Sequence, residues 1–173
     1  MSIALFSLLG LSLFMIHEFD ELILVKPWIA KQSENPNYQK ELFIMGKKRY
    51  PSTESIAVMI GEEFLLASLL LALASYFSLP ELAAAILIGH LLHLLSHIKE
   101  ALQFHRFVPG SFTAVVTFPL LLFFLTVFLV KQPLNIILLL CLIPLVFLLL
   151  IGNLMLLQRN VQSIDKWIQK FVC

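Results

Sequence analysis

The chain has 173 residues, of which 60% are hydrophobic and 13% are charged, and its formal net charge is +1 at pH 7. A soluble domain has about 25% charged residues, so too few polar side chains are present to cover a water-soluble globule of this size. The composition excludes an ordinary cytosolic enzyme, a secreted disulfide scaffold and a disordered tail, and the near-neutral charge excludes nucleic acid as a partner. It predicts an all-α polytopic membrane protein whose helices form a bundle in lipid.

Five segments approach the length of about 20 residues that a helix needs to cross a bilayer. We expect them to form a single integral membrane domain over residues 1–173. The five predicted spans are Ile3–Val25, Ser55–Leu79, Glu81–Phe104, Ser111–Val130 and Pro133–Leu157. Residues 158–173 place their apolar side chains, Val161, Ile164, Ile168, Phe171 and Val172, on one helical face. This pattern predicts a C-terminal amphipathic helix on the membrane surface.

The basic residues predict the topology. Eleven of the 12 Lys and Arg residues fall on one side of a five-span arrangement, and only Lys131 falls on the other. Because positively charged loops stay in the cytoplasm, we expect an integral membrane protein with its N-terminus outside and its C-terminus inside. The loop 26–54 is then cytoplasmic. Within it, Tyr38–Tyr50 predicts an interfacial helix, and Ser52 and Thr53 are suitable N-caps for the second span.

Ionisable residues interrupt the first three predicted spans. Charged groups are rare inside a bilayer and usually mark a functional site. Glu81 and Lys99 lie near the ends of the third span. The other charged or histidine side chains in these spans are His17, Glu18, Asp20, Glu21, Glu62, Glu63, His90, His93, His97 and Glu100. Counted from the cytoplasmic edge at about 1.5 Å per residue, those of the three spans lie at comparable depths in the inner half of the membrane.

The helical spacing places these groups on matching faces. His17, Asp20 and Glu21 share one arc of the first span, since residues three and four apart are neighbours on a helix. The three histidines of the third span recur at i, i+3 and i+7 and form one stripe. Glu62 and Glu63 point about 100° apart, so we expect one to enter the site and the other to orient a histidine or face a neighbouring helix.

The chemistry of this set predicts a metal centre. No Lys or Arg lies at the same level, and each unpaired acid at the centre of a helix costs roughly 2.5–3.5 kcal/mol. Protonation relieves that cost, and so does a divalent cation. The predicted ligands are His17, Asp20, Glu21, Glu62, Glu63, His90, His93 and His97. Imidazole and carboxylate without thiolate suit Fe or Zn, with Mn as a third choice, and the number of ligands favours two ions or one ion with a full outer shell.

The motifs resemble those of a known family. His17-Glu18-Phe19-Asp20-Glu21, Glu62-Glu63, His93-Leu94-Leu95-Ser96-His97 and Phe107-Val108-Pro109-Gly110 are similar in order and spacing to the HXXEE family of bacterial integral membrane proteins. The resemblance extends from the first span to the start of the fourth and implies a membrane-embedded metal-binding or catalytic site. Two residues depart from the family pattern. Asp20 keeps the charge of the expected Glu on a shorter arm, and Phe107 lacks the phenol of an expected Tyr.

Three functions are compatible with these features. The favoured one is a metal-dependent enzyme that acts on a lipid or another hydrophobic substrate, with Glu62 and Glu63 as catalytic carboxylates. Iron would support oxidation, which is slightly favoured, and zinc would support hydrolysis. A transporter of divalent cations or protons is the second hypothesis, although the chain has no internal repeat. The third is a non-catalytic metal-binding membrane subunit. Assembly into a homo-oligomer stays open.

Overall fold

A computed structural model of the protein describes residues 1–32 and 52–172. These residues form six α-helices and no strand, which confirms the prediction of an all-helical protein. The helices are α1 (Ile3–Gln32), α2 (Thr53–Tyr76), α3 (Pro80–Phe104), α4 (Ser111–Lys131), α5 (Ile136–Arg159) and α6 (Val161–Val172). The predicted interfacial helix over Tyr38–Tyr50 lies outside the described residues.

The number of membrane-spanning helices differs from the prediction. Within the described residues, four helices, α2 to α5, are long and apolar enough to cross a membrane, so the expected five spans plus one amphipathic helix are wrong in number. The difference concerns α1. Only the stretch Ile3–Ile16 precedes His17, and it is shorter than the roughly 20 apolar residues that a span needs. The helix also continues past the predicted end at Val25, through Pro27, as far as Gln32.

Helix α1 runs between the two ends of the bundle. At one end, the side-chain amide of Gln132 donates a hydrogen bond of 2.8 Å to the carbonyl of Met1. At the other end, the guanidinium of Arg106 lies 5.8 Å from the centre of the Trp28 ring. Helices α1, α3 and α5 finish at this second end, which we call the basic end. Its basic residues at the helix ends are Lys26, Lys31, Arg106 and Arg159.

Helix α3 lies at the centre of the packing. Ala83 and Ala84 are completely buried, and such small side chains let neighbouring helices approach closely. Gly10 of α1 packs so tightly on α3 that a Cβ atom there would lie 2.5 Å from the methyl carbons of Leu87. This close contact between α1 and α3 sets the distance between the two helices that carry most of the predicted ligands.

Helix α6 docks on the start of α2. Ser52 is the N-cap of α2 and accepts a hydrogen bond of 3.1 Å from the Ser55 amide, as the sequence predicts. The hydroxyls of both serines donate to one carboxylate oxygen of Asp165, at 2.6 Å and 2.5 Å. Val161 and Ile164 pack on a small apolar cluster at the same end of the bundle. Helix α6 is therefore held to α2 by both polar and apolar contacts.

The outer face of α6 carries a pair of aromatic side chains. The rings of Trp167 and Phe171 contact each other edge to face, with 4.8 Å between their centres, and both are exposed. Phe171 was expected on the same face as Val161 and Ile164, but it points away from the bundle.

Candidate metal centre

The facing sides of α1 and α3 bring four potential ligands together. His17, Glu21, His93 and His97 each offer one donor atom, and all four atoms lie within 4.8 Å of one another. The Nε2 atom of His17 is 3.1 Å from the Nε2 atom of His93. One oxygen of Glu21, Oε1, lies 3.3 Å from Nε2 of His17, 2.7 Å from that of His97 and 3.8 Å from that of His93. We call these four residues the His/Glu cluster.

The dimensions of the His/Glu cluster fit a metal ion. Ligand atoms about 2.1 Å from a tetrahedral zinc ion are separated from each other by about 3.4 Å. Four of the six separations among these atoms, 2.7, 3.1, 3.3 and 3.8 Å, bracket that value, and all six are within 4.8 Å. The buried Oε1 of Glu21 has ring nitrogens of His17 and His97 as its nearest described polar neighbours. A cation would satisfy this oxygen, because a buried carboxylate is otherwise costly.

The proton on His17 is placed by Thr113. The hydroxyl of Thr113 has one hydrogen, and its two nearby acceptors are a carboxylate oxygen of Asp20 at 2.9 Å and the carbonyl of Gly110 at 3.1 Å. When this hydrogen points to Asp20, the hydroxyl accepts a hydrogen bond from Nδ1 of His17, which lies 3.1 Å away. With the hydrogen on Nδ1, the Nε2 atom of a neutral His17 presents a lone pair to the His/Glu cluster. A chain from carboxylate through hydroxyl to imidazole commonly orients a metal ligand in this way.

Asp20 has a structural task outside the His/Glu cluster. Helix α4 begins at Ser111 after Gly110, an N-cap residue that has no side chain to bind the free amides of the first turn. Asp20 supplies the missing acceptor from α1, since its carboxylate lies 3.3 Å from the amide nitrogen of Thr113. Asp20 thereby fixes the start of α4 to the helix that carries His17.

The loop before α4 closes one side of the cluster. Gly110 has a φ of +81°, a left-handed conformation that side chains rarely adopt. A Cβ atom on Gly110 would lie 2.8 Å from Oε1 of Glu21 and 3.0 Å from Nδ1 of His97. The main chain of Pro109 also interacts with the His97 ring. Glycine is therefore needed at this position for both its conformation and its size.

The cluster is open at His93. The side chain of His93 is 27% exposed, whereas the side chains of His17, Glu21 and His97 are at most 6% exposed. A carboxylate oxygen of Glu18 lies 3.6 Å from Nε2 of His93, and Glu18 is itself buried. Glu18 is thus the nearest acid to the open side that is not a member of the cluster.

Glu62 and Glu63 form a separate group on α2. Both accept hydrogen bonds from the side-chain amide of Asn153, at 2.5 Å and 2.8 Å, and this residue belongs to α5. Glu63 is close enough to Glu18 to act on it electrostatically. Glu63 therefore lies near the cluster, while the described hydrogen-bond partner of both glutamates is Asn153. We call Glu62, Glu63 and Asn153 the Glu pair group.

His90 lies one turn away from His93 and beside the cluster. Its ring centre is 6.1 Å from that of His17 and 6.2 Å from that of His93. The ring of Phe14 meets it edge to face at 5.4 Å. His90 is buried, and its Nε2 atom has no hydrogen bond among the described residues. The structure thus brings His90 next to the four clustered residues without adding it to them.

Sequence reasoning missed three residues that the structure places at or beside the site: Thr113, Gly110 and Asn153. Two of them left a weak signal. Asn153 is the only amide in the middle of a very apolar helix, and Gly110 belongs to the motif Phe107-Val108-Pro109-Gly110. Thr113 left none, because a threonine in an apolar helix usually bonds its own preceding turn.

Comparison with known proteins identifies the family. A family model described as a protein of unknown function with an HXXEE motif matches residues 8–125. Curated proteins and solved structures give no match. The matched range includes every member of the His/Glu cluster, together with Asp20, Gly110 and Thr113. The chain belongs to the HXXEE-motif family.

Proposed function

We propose that this protein is a metal-dependent membrane enzyme and that its His/Glu cluster holds a divalent transition-metal ion. The observation that supports this best is the convergence of three imidazole nitrogens and one carboxylate oxygen at separations suited to a common ion. The donor set of imidazole and carboxylate suits iron, zinc or manganese. Bound there, such an ion would supply Lewis acidity, and iron would add redox chemistry.

The side chains around the cluster have distinct tasks in this proposal. Thr113 holds His17 in the tautomer that directs a lone pair inward, and Asp20 holds Thr113. Glu21 supplies the negative charge that offsets part of the charge of the ion. Glu18 lies beside the exposed edge of His93 and is placed to accept a proton there. Glu63 acts electrostatically on Glu18 and is the next acid beyond it.

The substrate that we propose is hydrophobic. The open edge of the cluster is at His93, and its neighbours Leu92 and Leu95 on α3 are 42% and 41% exposed. On α1, Phe19 next to Glu18 is 53% exposed. Large apolar side chains that are exposed on a helix bundle of this composition face lipid. A molecule that reaches His93 would therefore come from the bilayer, which favours a lipid as the substrate.

The orientation follows from the basic end. Its Lys and Arg residues favour the cytoplasmic side, because positively charged segments are retained there. The His/Glu cluster lies next to the start of α4, close to that end. We therefore propose that the reaction takes place in the cytoplasmic half of a bacterial inner membrane.

Metal analysis of the purified protein tests the proposal. We expect about one equivalent of iron, zinc or manganese per chain in the wild type and very little in His97→Ala and His97→Gln. His105 is an exposed histidine outside the cluster and has a left-handed conformation. The substitution His105→Asn suits that conformation and is the matched control, so it should keep the metal.

Mass spectrometry of membrane lipids incubated with the loaded enzyme tests the reaction. An added oxygen atom or a loss of two hydrogens would indicate oxidation, and an added water would indicate hydrolysis. A wild type without transition metal under anaerobic, chelator-free purification would instead favour a hydrogen-bonded His/Glu network and overturn the proposal. A metal that persists in both His97 variants would exclude the His/Glu cluster as its site.

A further inference from the structure

A second site lies on the other side of the loop that closes the His/Glu cluster. Between the end of α1 and this loop is a cleft of about 190 Å³. Its walls are mostly apolar and aromatic. The described residues in these walls are Leu24, Pro27, Trp28, Phe107, Val108, Pro109 and Phe112, together with the charged Lys31. The cleft therefore offers apolar contact together with a positive charge.

The positive charges at the cleft lie on its rim, at the basic end of the bundle. Lys31 is exposed and forms no ion pair with a residue in the ranges 1–32 and 52–172. Arg106 lies over the ring of Trp28, so a second cation is held against a wall of the cleft. The residues that line the cleft within the ranges 1–32 and 52–172 include no acid. Lys31 would therefore attract an anionic group to this rim.

The size and position of the cleft favour a lipid over a small soluble ligand. Sites that enclose a small molecule usually have about 300–1,000 Å³, so this cleft holds only one part of its occupant. The aromatic side chains Phe107 and Phe112 in its walls are 65% and 58% exposed. The cleft is thus continuous with the apolar outer surface, where an acyl chain can extend. Trp and Lys near a helix end are typical of the membrane interface.

We propose that this cleft binds an anionic phospholipid of the bilayer. The headgroup phosphate lies between Lys31 and Arg106, and the upper part of one acyl chain packs on Trp28, Phe107 and Phe112. The inference does not depend on a metal in the His/Glu cluster. It does give the Phe at position 107 a role, because an apolar ring suits a wall that contacts an acyl chain.

Quenching of Trp28 fluorescence by brominated lipids tests this proposal. The chain has two tryptophans, so Trp167→Phe leaves Trp28 as the only reporter. The full-length protein is placed in bilayers of phosphatidylcholine, and brominated phosphatidylglycerol or brominated phosphatidylcholine is added in increasing amounts. We expect the anionic lipid to quench Trp28 at a much lower mole fraction than the neutral lipid.

Variants that each remove one positive charge test whether the preference for anionic lipid depends on the cleft. A basic residue near an anionic membrane surface contributes about fivefold in affinity, so Lys31→Gln and Arg106→Gln should each lower the preference roughly fivefold. Lys166→Gln in α6 and Lys131→Gln at the opposite end are controls that remove the same charge elsewhere, and both should keep it. Equal quenching by the two lipids would overturn the proposal, as would a preference lost in Lys166→Gln but kept in Lys31→Gln.

A third measurement separates this site from the metal centre. The metal content of Lys31→Gln and Arg106→Gln should equal that of the wild type, and His97→Gln should keep the lipid preference. If the lipid preference disappears in His97→Gln, lipid binding depends on the cluster, and the independent site proposed here is wrong. If both cleft variants unfold, Phe112→Ser removes only apolar contact and should weaken the quenching by both lipids.

Discussion

The His/Glu cluster and the Glu pair group are two polar groups in one apolar bundle, and their acidic side chains have different partners. In the Glu pair group, the amide of Asn153 has two hydrogens and directs them to Glu62 and Glu63. In the His/Glu cluster, Oε1 of Glu21 is surrounded by the ring nitrogens of His17, His93 and His97. The comparison separates a pair of acids that share an amide donor from one acid surrounded by imidazoles. Only the second arrangement offers a mixed imidazole and carboxylate ligand set.

Removal of Glu21 should produce the largest effect. We expect Glu21→Gln to lower the affinity for zinc by more than about 100-fold, beyond the 10–100-fold typical of residues that only support a ligand. Competition with a fluorescent zinc chelator measures this affinity. Glu63→Gln is the matched change in the Glu pair group and should keep the affinity of the wild type. Equal losses in the two variants would mean that the two groups form one metal site.

Gly110→Ala should also disturb the cluster strongly. A non-glycine residue in a left-handed conformation costs roughly 1–3 kcal/mol, and the new methyl group would collide with Glu21. We expect a lower midpoint of thermal unfolding and a weakened metal affinity. Gly61→Ala is the control, because a Cβ atom at Gly61 meets no atom within 4 Å. It should leave the metal affinity unchanged. A comparable loss in Gly61→Ala would show that close contact does not explain the effect of Gly110→Ala.

Thr113→Ala should have an intermediate effect. The change removes the group that accepts the hydrogen of His17, so that ring can rotate or take the other tautomer. We expect the metal affinity to fall about 10–100-fold, as for other residues that orient a metal ligand. Thr113→Ser keeps the hydroxyl and should restore most of the affinity. A serine variant as weak as the alanine variant would show that the methyl group matters and the hydrogen bond does not.

Asn153→Leu should have the smallest effect on the metal and a clear effect on stability. It leaves the half-buried Glu62 and Glu63 without their shared donor, and the loss of a hydrogen bond costs about 0.5–1.5 kcal/mol. Unfolding in a denaturing detergent measures that loss. Zinc affinity should remain that of the wild type. A large loss of zinc in Asn153→Leu would place the Glu pair group among the determinants of the metal centre.

Local periodicity explains which parts of the site could be predicted. His17 and Glu21 are four residues apart, as are His93 and His97, so each pair shares a helical face whatever the rest of the fold does. Their common depth followed from counting along the helices. The same reasoning gave the helix bounds to within a few residues, except at the end of α1, where Pro27 does not stop the helix.

Contacts between distant segments explain what could not be predicted. Thr117 and Thr126 of α4 donate to the carbonyls four residues earlier, and nothing in the sequence distinguishes Thr113 from them. Thr113 differs only because α4 starts against α1, 93 residues from Asp20. The separation of Glu62 and Glu63 from the His/Glu cluster also depends on a contact between distant segments. Their partner Asn153 belongs to α5, whose composition gives no other sign of a polar contact.

The bond between Asp165 and the start of α2 also has a consequence for the order of assembly. Ser52 and Asp165 are 113 residues apart, so the ribosome has synthesised most of the chain before it reaches Asp165. Until then the first turn of α2 lacks the acceptor for two of its hydroxyls. Contacts of such large sequence separation form late in folding. In a chain truncated after Arg159, we therefore expect the first turn of α2 to be less stable. Protease cleavage near Ser52 during synthesis would show when α6 docks on α2.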